Sequence, residues 1–419
     1  MTDISVDVYQ AHPSGDCIVG RLYAHRRRGI QSATFLYLDE WLARADAFEI
    51  DPGLPLVAGH QQTPNARNLF GIFTDSAPDR WGQRLITRNE KRRIEHEGGA
   101  VRTFGDIDFL LGVRDDVRQG ALRYRTPGTE SFLSDERTGV PHLLELGRLL
   151  TAADRLERET ADDEDLRMLL RAGSSLGGAR PKAHVLDVEG RLAIAKFPSP
   201  TQDEWDVMAW ERVMLDLAGR GGIAVPRSQL YPVDGTNVLI VDRFDRHGGE
   251  RLAYASAMTM LEGIDGQPRS YLEIAQFIET ASMRPTADLH ELWRRVAFSI
   301  LVSNTDDHLR NHGFIRAATD IGWRLSPAFD INPNPIDRGE LETAIEESDH
   351  SADIDLLLRV ADWFRLDSIQ ATDVLRDVVR ATRTWRESAH RFGLSAAQIE
   401  FMRPAFEHEQ LDKARRVSG

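Results

Sequence analysis

Two polar segments in the last third of the chain contain the residue types that phosphoryl transfer requires. They are TDDHLRN at 305–311 and LSPAFD at 325–330. The reaction needs a carboxylate to orient the attacking hydroxyl, an amide oxygen for a metal ion, and a second carboxylate between metal and phosphate. Asp306 and Asn311 have the five-residue offset of a kinase catalytic loop, and Asp330 follows a predicted hairpin that can return the chain to the same edge. The alternative is a turn rich in Asp and Asn for local structural reasons.

Two other residues of the first segment have more than one interpretation. His308 can coordinate a phosphate near the metal or donate to it, although a histidine that structures its own loop is more common. Asp307 is consistent with a loop-capping role. The chain has neither H-E-x-x-H nor C-x-x-C, which argues against zinc, and it lacks the G-x-S-x-G of serine hydrolases.

Lysine is scarce in this chain, so each lysine is informative. Of the 52 cationic residues only four are lysines. Lys196 lies on an apolar predicted strand, LAIAKF, where an ammonium needs an anionic partner or access to solvent. Glu211 follows on the next predicted helix, and kinases hold nucleotide phosphates with a strand lysine paired to a helix glutamate. The alternative is an edge-strand lysine and an unrelated surface glutamate.

A glycine-rich segment, GSSLGGARPK, precedes that strand. Gly177 and Gly178 would let backbone amides approach phosphate oxygens, and Ser174 and Ser175 add hydroxyls. The segment matches neither the Walker pattern nor the dinucleotide fingerprint, so a flexible linker is the better interpretation of this loop taken alone. Together with the lysine and the two polar segments, it favours a nucleotide site.

The secondary structure around these segments is predicted to include both strands and helices. Alternating apolar runs predict short strands near 6–9, 18–23 and 34–38. Strands at 183–188 and 191–197 are joined by a predicted turn at Glu189-Gly190. Apolar residues three and four apart predict a helix from about 203 to 217, and most of the chain after Tyr271 has a helical pattern.

Composition narrows the function classes. The chain of 419 residues has 41% hydrophobic and 28% charged residues and a formal charge of −14, which argues against a protein that coats nucleic acid by itself. Cys17 is the single cysteine, so disulfides within the chain and thiolate zinc clusters are excluded. Because no apolar run is long enough to span a bilayer and the start has no signal-peptide pattern, we expect a cytoplasmic protein without a membrane partner.

Taken together, these segments resemble the HipA-like serine/threonine kinase toxins of bacterial toxin–antitoxin systems. The resemblance covers most of the chain and depends mainly on SSLGGARPK, AIAKFP, VDRFDR, NTDDHLRNHGF and LSPAFDINP. In the first part, DSAPDRWG and LLGVRDDVRQGALRYR are similar to the amino-terminal region of that family. Ordinary protein-kinase signatures fit less well, because no His-Arg precedes Asp306 and Ile331 stands where a glycine is expected.

The resemblance implies an α+β, two-lobed protein-kinase-like fold. A β-rich amino-terminal subdomain is appended to it, and the carboxy-terminal lobe is mostly helical. We expect a HipA-like amino-terminal region at 1–135, a kinase N-lobe with the glycine loop and strand lysine at 136–245, and a helical C-lobe with the catalytic and metal-binding loops at 246–419.

The resemblance also implies a role for each candidate site residue. Asp306 is expected to be the catalytic base, Asn311 and Asp330 the Mg²⁺ ligands, and Glu211 the ion-pair partner of the strand lysine. The residues expected to contact ATP are Lys196, Lys182, Gly177, Gly178, His308, Asp242, Phe244 and Asp245. Autophosphorylation is expected at Ser175 or the adjacent Ser174. A phosphoserine adds nearly two negative charges and would expel the loop from the phosphate site.

The implied activity is ATP- and Mg²⁺-dependent phosphorylation of a protein, with an aminoacyl-tRNA synthetase as the family substrate. The implied partner is a HipB-like helix-turn-helix antitoxin, which would supply most contacts to operator DNA. Two alternatives stay open. One is a small-molecule or lipid kinase, and the other is a non-catalytic co-repressor with a vestigial nucleotide site.

Overall fold

The computed structural model describes residues 4–27, 29–64, 67–98, 103–134, 139–173, 180–337, 339–347 and 349–419. The chain forms two compact units. The first unit comprises Met1–Gln202, Asp245–Ala255 and Ile315–Ile321, and the second comprises Asp203–Phe244, Ser256–Phe314 and Gly322–Gly419. The three regions predicted from the sequence stay a prediction. Within the described ranges, no helix combines the length and the apolar character needed to cross a bilayer.

The strands, in chain order, are β1 (Ile4–Gln10), β2 (Cys17–Arg27), β3 (Ile30–Tyr37), β4 (His60–Gln62), β5 (Leu122–Arg125), β6 (Lys182–Leu186), β7 (Leu192–Lys196), β8 (Ser228–Val233), β9 (Thr236–Asp242), β10 (Arg246–His247), β11 (Glu250–Arg251), β12 (Ala253–Ser256), β13 (Gly313–Arg316) and β14 (Arg324–Leu325).

The helices are α1 (Asp39–Leu42), α2 (Gly71–Asp75), α3 (Arg80–Glu97), α4 (Asp106–Gly112), α5 (Leu146–Glu157), α6 (Asp163–Ala172), α7 (Val207–Arg220), α8 (Ala257–Met260), α9 (Tyr271–Ala281), α10 (Pro285–Leu301), α11 (Ile354–Arg359), α12 (Ser368–Thr382), α13 (Trp385–Arg391), α14 (Ala396–Phe406) and α15 (Glu409–Ser418). Short 3-10 turns cover Leu143–Glu145, Leu309–Asn311 and Ala361–Phe364.

An antiparallel sheet organises the amino-terminal part of the first unit. Its strand order is β4-β3-β2-β1-β5. Phe35 and Tyr37 of β3 are buried and pack edge to face with ring centroids 5.0 Å apart, and Phe35 also packs against Phe73 of α2. Aromatic side chains of this size each contribute roughly 2–3 kcal/mol when they leave water. The β-rich amino-terminal region predicted from alternating apolar residues is therefore confirmed.

The β6–β7 hairpin is the second β element of the first unit, and it carries the predicted strand lysine. Its turn forms because the Asp187 carboxylate accepts from the backbone N–H of Glu189 (2.9 Å) and of Arg191 (2.8 Å), while Gly190 has φ +77°. Only glycine adopts that conformation without strain. The register pairs Lys182 directly with Lys196, so both side chains project from the same face of the hairpin.

Helix α7 organises the core of the second unit. The apolar residues that predicted this helix are all buried, namely Val207, Trp210, Met214 and Leu217. Trp210 packs against Trp385 of α13 and Phe406 of α14, with centroid distances of 6.2 and 6.0 Å. The helix begins at Val207, later than predicted, because Asp206 is its N-cap and accepts from the backbone N–H of Ala209.

Strand β8 was not predicted from the sequence. It pairs antiparallel with β9, and Pro232 lies within it. Proline has no N–H to donate to a sheet, so a segment that contains it reads as a loop unless it occupies an edge. Here β8 is at the edge of its sheet, where the missing donor is tolerated.

Candidate active site

The two adjacent aspartates of the 305–311 segment lie in different environments. Asp306 is exposed, whereas Asp307 is buried. The Asp307 carboxylate accepts from the hydroxyls of Tyr271 (2.6 Å) and Ser299 (3.1 Å), and His312 Nε2 lies 3.1 Å from its other oxygen. These contacts fix the middle of the segment in the core and leave the preceding carboxylate facing solvent.

The electrostatics of this buried cluster favour an ionised Asp307. Burial alone would raise the pKa of Asp307, but His312 and the hydroxyls of Tyr271 and Ser299 outweigh burial, so the pKa lies below its ordinary value of 3.8. The pKa of Tyr271 is raised well above 10, first by burial and then by the neighbouring carboxylate. Tyr271 therefore remains a hydrogen-bond donor to Asp307 at physiological pH.

Hydrogen bonds within the segment also orient Asn311. Its Nδ2 donates to the backbone oxygen of Asp306 at 3.0 Å, and its backbone N–H donates to the oxygen of His308 at 2.8 Å. Because the amide nitrogen is used in this way, Oδ1 is the atom left to bind a ligand. An amide oxygen is a suitable ligand for Mg²⁺.

Two hydrogen bonds, one before Asp330 in the sequence and one after it, bring the chain around Asp330 beside this segment. The Ser326 N–H donates at 2.8 Å to the oxygen of Gly313, two residues after the 305–311 segment. The Asn332 N–H donates to Oδ1 of Asn304 at 3.1 Å, directly before it. The chain around Asp330 thus runs next to both ends of the segment that contains Asp306 and Asn311.

The backbone of Asp330 is in an unusual conformation. Its φ is +57°, in the left-handed region that side chains other than glycine rarely adopt. Such strain typically costs about 1 kcal/mol or more and concentrates at functional sites. Nδ2 of Asn332 lies 3.4 Å from Oδ1 of Asp330, and Oδ1 of Asn332 has no hydrogen-bond partner among the residues that the structure describes.

The donor set fits Mg²⁺ that arrives with a nucleotide. In the described part of the chain, no group of three or more His, Cys, Asp or Glu side chains could hold a metal ion. Mg²⁺ usually takes only one or two protein carboxylates and completes its shell with water and phosphate oxygens. Asp330 and Oδ1 of Asn311 match that chemistry.

An aromatic pair in the second unit connects the predicted hinge with this site. Phe244 and Phe329 stack with ring centroids 5.4 Å apart and an interplanar angle of 29°. Both rings are partly exposed, and Phe329 directly precedes Asp330. Asp242, at the end of β9, lies 3.2 Å from the Arg227 guanidinium. The predicted hinge residue Phe244 is thus close to the segment that contains the predicted metal ligand Asp330.

The two other predicted residues of the second unit lie on α7 and in the 305–311 segment. Glu211 is buried on α7. His308 is half-buried, and its Nδ1 has no hydrogen-bond partner within the described ranges. The proposed pairing of Glu211 with the strand lysine stays a prediction.

In the first unit, Lys196 ends β7 and is half-buried. Lys182, opposite it, is buried and forms an ion pair with Asp79. The Asp245 carboxylate is buried, lies 2.8 Å from Arg246 and accepts from the Gly120 N–H at 2.8 Å. Ser174, Ser175, Gly177 and Gly178 lie outside the described residues.

Three residues around the predicted site were not identified from the sequence. Asp79 contacts the candidate residue Lys182, and Tyr271 contacts Asp307, the neighbour of Asp306. Asn332 lies beside Asp330. The segment that contains Asp79, DSAPDRWG, carried a family resemblance but no assigned role. Nothing in the local pattern indicates Tyr271 as a partner of Asp307.

The fold and the loop chemistry define an α+β protein of the kinase-like class. A family model described as the HipA-like C-terminal domain matches residues 174–386, about half of the chain. The chain therefore belongs to the HipA-like family.

Relatives agree with this membership. "Putative kinase Y4mE" of Sinorhizobium fredii is 24% identical over 349 residues, covering 75% of this chain and 74% of that protein. A "Putative kinase" of Haemophilus influenzae is 25% identical over 187 residues, covering 39% of this chain and 54% of that protein.

A solved structure confirms the predicted fold. A chain of the Shewanella oneidensis MR-1 complex of HipA, HipB and operator DNA matches with a TM-score of 0.67 and 16% identity, covering 98% of this chain and 97% of that one. The α+β kinase-like fold predicted from the sequence is therefore confirmed.

Proposed function

We propose that this protein is an ATP- and Mg²⁺-dependent serine/threonine-protein kinase and the toxin of a toxin–antitoxin system. One observation carries the proposal. The 305–311 segment is anchored by the buried Asp307 and presents Asp306 to solvent, and the chain around Asp330, which has a strained conformation, is hydrogen-bonded to residues on both sides of this segment. A loop that is held by a buried residue and carries an exposed carboxylate beside it is suited to orient an incoming hydroxyl.

In the proposed reaction, Asp306 accepts the proton of a protein Ser or Thr hydroxyl. The hydroxyl oxygen forms a bond to the γ-phosphorus of ATP, the bond between that phosphorus and the β–γ bridging oxygen breaks, and ADP leaves. Asn311 Oδ1 and Asp330 would hold Mg²⁺, which when bound neutralises charge on the phosphates.

Nucleotide binding is proposed for the residues that the family resemblance indicates. Lys196 would contact the phosphates with Glu211 as its ion-pair partner, and the further contacts would come from Lys182, Gly177, Gly178, His308, Asp242, Phe244 and Asp245. The partly exposed Phe244 supports a contact with the nucleoside, because an exposed aromatic face offers a stacking surface. These roles accompany the proposed division into regions 1–135, 136–245 and 246–419.

Regulation and partners are proposed on the same basis. Phosphorylation at Ser175 or Ser174 would silence the kinase by charge repulsion with ATP. A HipB-like antitoxin is the proposed partner and would bring the protein to operator DNA, which the solved complex of HipA, HipB and operator DNA supports. The net charge of −14 is compatible with DNA contacts made mainly by the antitoxin. An aminoacyl-tRNA synthetase in the cytoplasm is the proposed substrate.

The test is label transfer from γ-labelled Mg-ATP to purified aminoacyl-tRNA synthetases, offered one at a time, with Asp306→Asn as the blank. We expect label on a Ser or Thr of at least one synthetase. Label on small alcohols or lipids and on no protein would contradict the proposal in favour of a small-molecule kinase. Antitoxin and operator binding without any transfer would contradict it in favour of a non-catalytic co-repressor.

A further inference from the structure

A buried ion pair links helix α3 with the β6–β7 hairpin inside the first unit. Asp79 Oδ2 lies 2.5 Å from Nζ of Lys182, and the two side chains are only 2% and 6% exposed. The other oxygen of Asp79 accepts from the backbone N–H of Gly82 at 2.7 Å, so the same carboxylate is also the N-cap of α3. Both oxygens of Asp79 are therefore engaged in fixed directions.

A second contact holds the same lysine by its backbone. Trp81 is fully buried, and its indole Nε1 donates to the backbone oxygen of Lys182 at 3.2 Å. Asp79 and Trp81 are neighbours at the start of α3, so one helix end contacts Lys182 at both its ammonium and its main chain. This arrangement restricts both the strand position and the side-chain direction of Lys182.

The position of Lys182 makes this restriction relevant to nucleotide binding. Lys182 is the cross-strand partner of Lys196, and opposed residues in an antiparallel pair have Cβ atoms about 5 Å apart. Like charges on opposed residues repel each other unless an anion compensates at least one of them. The carboxylate of Asp79 provides that compensation for Lys182.

We propose that Asp79 is a positioning residue for the phosphate-binding lysines. It holds the Lys182 ammonium in one direction, and it limits the repulsion on Lys196. The inference rests on the proposed function and deepens it, because it gives the DSAPDRWG segment a role in ATP binding. The ligand is the polyphosphate of a nucleoside triphosphate.

The test is the dissociation constant of Mg-ATP for the full chain, measured by calorimetry well below the unfolding temperature. Asp79→Asn keeps an N-cap side chain, since Asn caps helices as well as Asp, but removes the negative charge next to Lys182. We expect binding about ten-fold weaker, as for the loss of one charged hydrogen bond. The maximal transfer rate at saturating Mg-ATP should change less than three-fold, roughly, because Asp306 is untouched.

Asp162→Asn is the matched control. Asp162 is the N-cap of α6, accepts from the N–H groups of Glu164 and Asp165, and is exposed. The Asp162→Asn variant loses the same charge at a helix N-terminus, but that charge has no lysine partner in the hairpin. The variant should therefore bind Mg-ATP with the affinity of the wild type. A loss equal to that of Asp79→Asn would overturn the proposal, because a cap effect would then explain both.

A double-mutant cycle keeps the test decisive if Asp79→Asn folds poorly. Lys182→Met should weaken Mg-ATP binding about as much as Asp79→Asn, and the double variant, which buries no unpaired charge, should be no weaker than Lys182→Met alone. Additive losses, or Lys182→Met binding like the wild type, would overturn the inference. Failure of the wild type to bind Mg-ATP would instead overturn the proposed function itself.

Discussion

The 305–311 loop and the β6–β7 hairpin each contain two neighbouring residues of like charge, one of which is buried. The partners that stabilise the buried charge differ between the two. In the loop, Asp307 is met by hydroxyls and an imidazole, while Asp306 faces solvent. In the hairpin, Lys182 is met by the opposite charge of Asp79. The comparison indicates that several small polar groups stabilise the buried charge in the loop, whereas an opposite charge does so in the hairpin.

The origin of these partners differs as well. The hydroxyls that donate to Asp307 come from helices α9 and α10, and the nearby imidazole belongs to the residue next to the loop, so that the loop is held at several points. The partner of Lys182 is 103 residues away in sequence. We therefore expect the loop to retain its shape after a conservative change, and the hairpin lysines to respond to a change in the amino-terminal region.

The largest expected effect separates the two aspartates of the loop. Asp306→Asn should lower the phosphoryl-transfer rate about 10³-fold, because it removes the proposed base. Asp307→Asn should keep the rate within a few-fold, roughly, at temperatures where the variant is folded, since its side chain contacts the core. Single-turnover transfer measures both. An equal loss of transfer rate in the two variants would contradict the assignment of a catalytic role to Asp306 and a structural role to Asp307.

In the hairpin, Lys196→Met should weaken Mg-ATP binding by roughly ten- to a hundred-fold, because it removes a charge proposed to contact phosphate. Lys91→Met is the matched control, since Lys91 is exposed on α3. Calorimetric titration of the two variants checks the expectation. The same affinity in both would remove Lys196 from the site.

Stability should report the burial of Asp307. Asp307→Asn should lower the free energy of unfolding by about 2 kcal/mol, because an amide cannot satisfy the same buried donors. Asp373→Asn, on the exposed face of α12, should change it by less than about 0.5 kcal/mol. Denaturant unfolding of both variants provides the measurement. An unchanged midpoint for Asp307→Asn would contradict the anchoring role.

The strained conformation of Asp330 predicts a trade between stability and binding. Asp330→Gly should raise the free energy of unfolding by about 1 kcal/mol, because glycine adopts φ +57° without strain. The same variant should lose the Mg²⁺ dependence of ATP binding. Arg365→Gly, at a position with the same φ, should stabilise without changing binding. Melting curves and titrations with and without Mg²⁺ test the pair, and a destabilised Asp330→Gly would argue against stored strain.

The smallest expected effect is a pH dependence. The pKa of Asp307 lies below its ordinary 3.8, so its contribution to stability is complete above about pH 4 and is lost as pH falls through the lower folded value. Asp307→Asn should therefore show a flatter decline of unfolding free energy below pH 4 than the wild type. Parallel curves for the two proteins would show that this carboxylate is not the titrating group.

Much of the local structure could be predicted from the sequence. The spacing of Val207, Trp210, Met214 and Leu217 predicted α7 because only one helix face can pack against the core. The β6–β7 hairpin followed from two apolar runs joined by Glu189-Gly190. The end of each element was less predictable, because it depends on a cap such as Asp206.

The contacts that define the site could not be predicted in the same way. The residues of 305–311 have no periodicity, so nothing in the local pattern tells which of two adjacent aspartates is buried. The Asp79–Lys182 pair depends on tertiary structure across 103 residues, and neither the scarcity of lysine nor the resemblance of the two segments indicates that these residues meet. The offset of Asp306 and Asn311 could be recognised because chemistry constrains it within a single loop.

The most direct test of the central claim is intact-mass and peptide mass spectrometry after incubation of the purified chain with Mg-ATP, alongside Asp306→Asn. We predict one added phosphate on Ser175 or Ser174 in the wild type and none in the variant, with Mg-ATP bound by both. Phosphate gained equally by the variant, or no phosphoryl transfer to any protein by a wild type that binds Mg-ATP, would contradict the account.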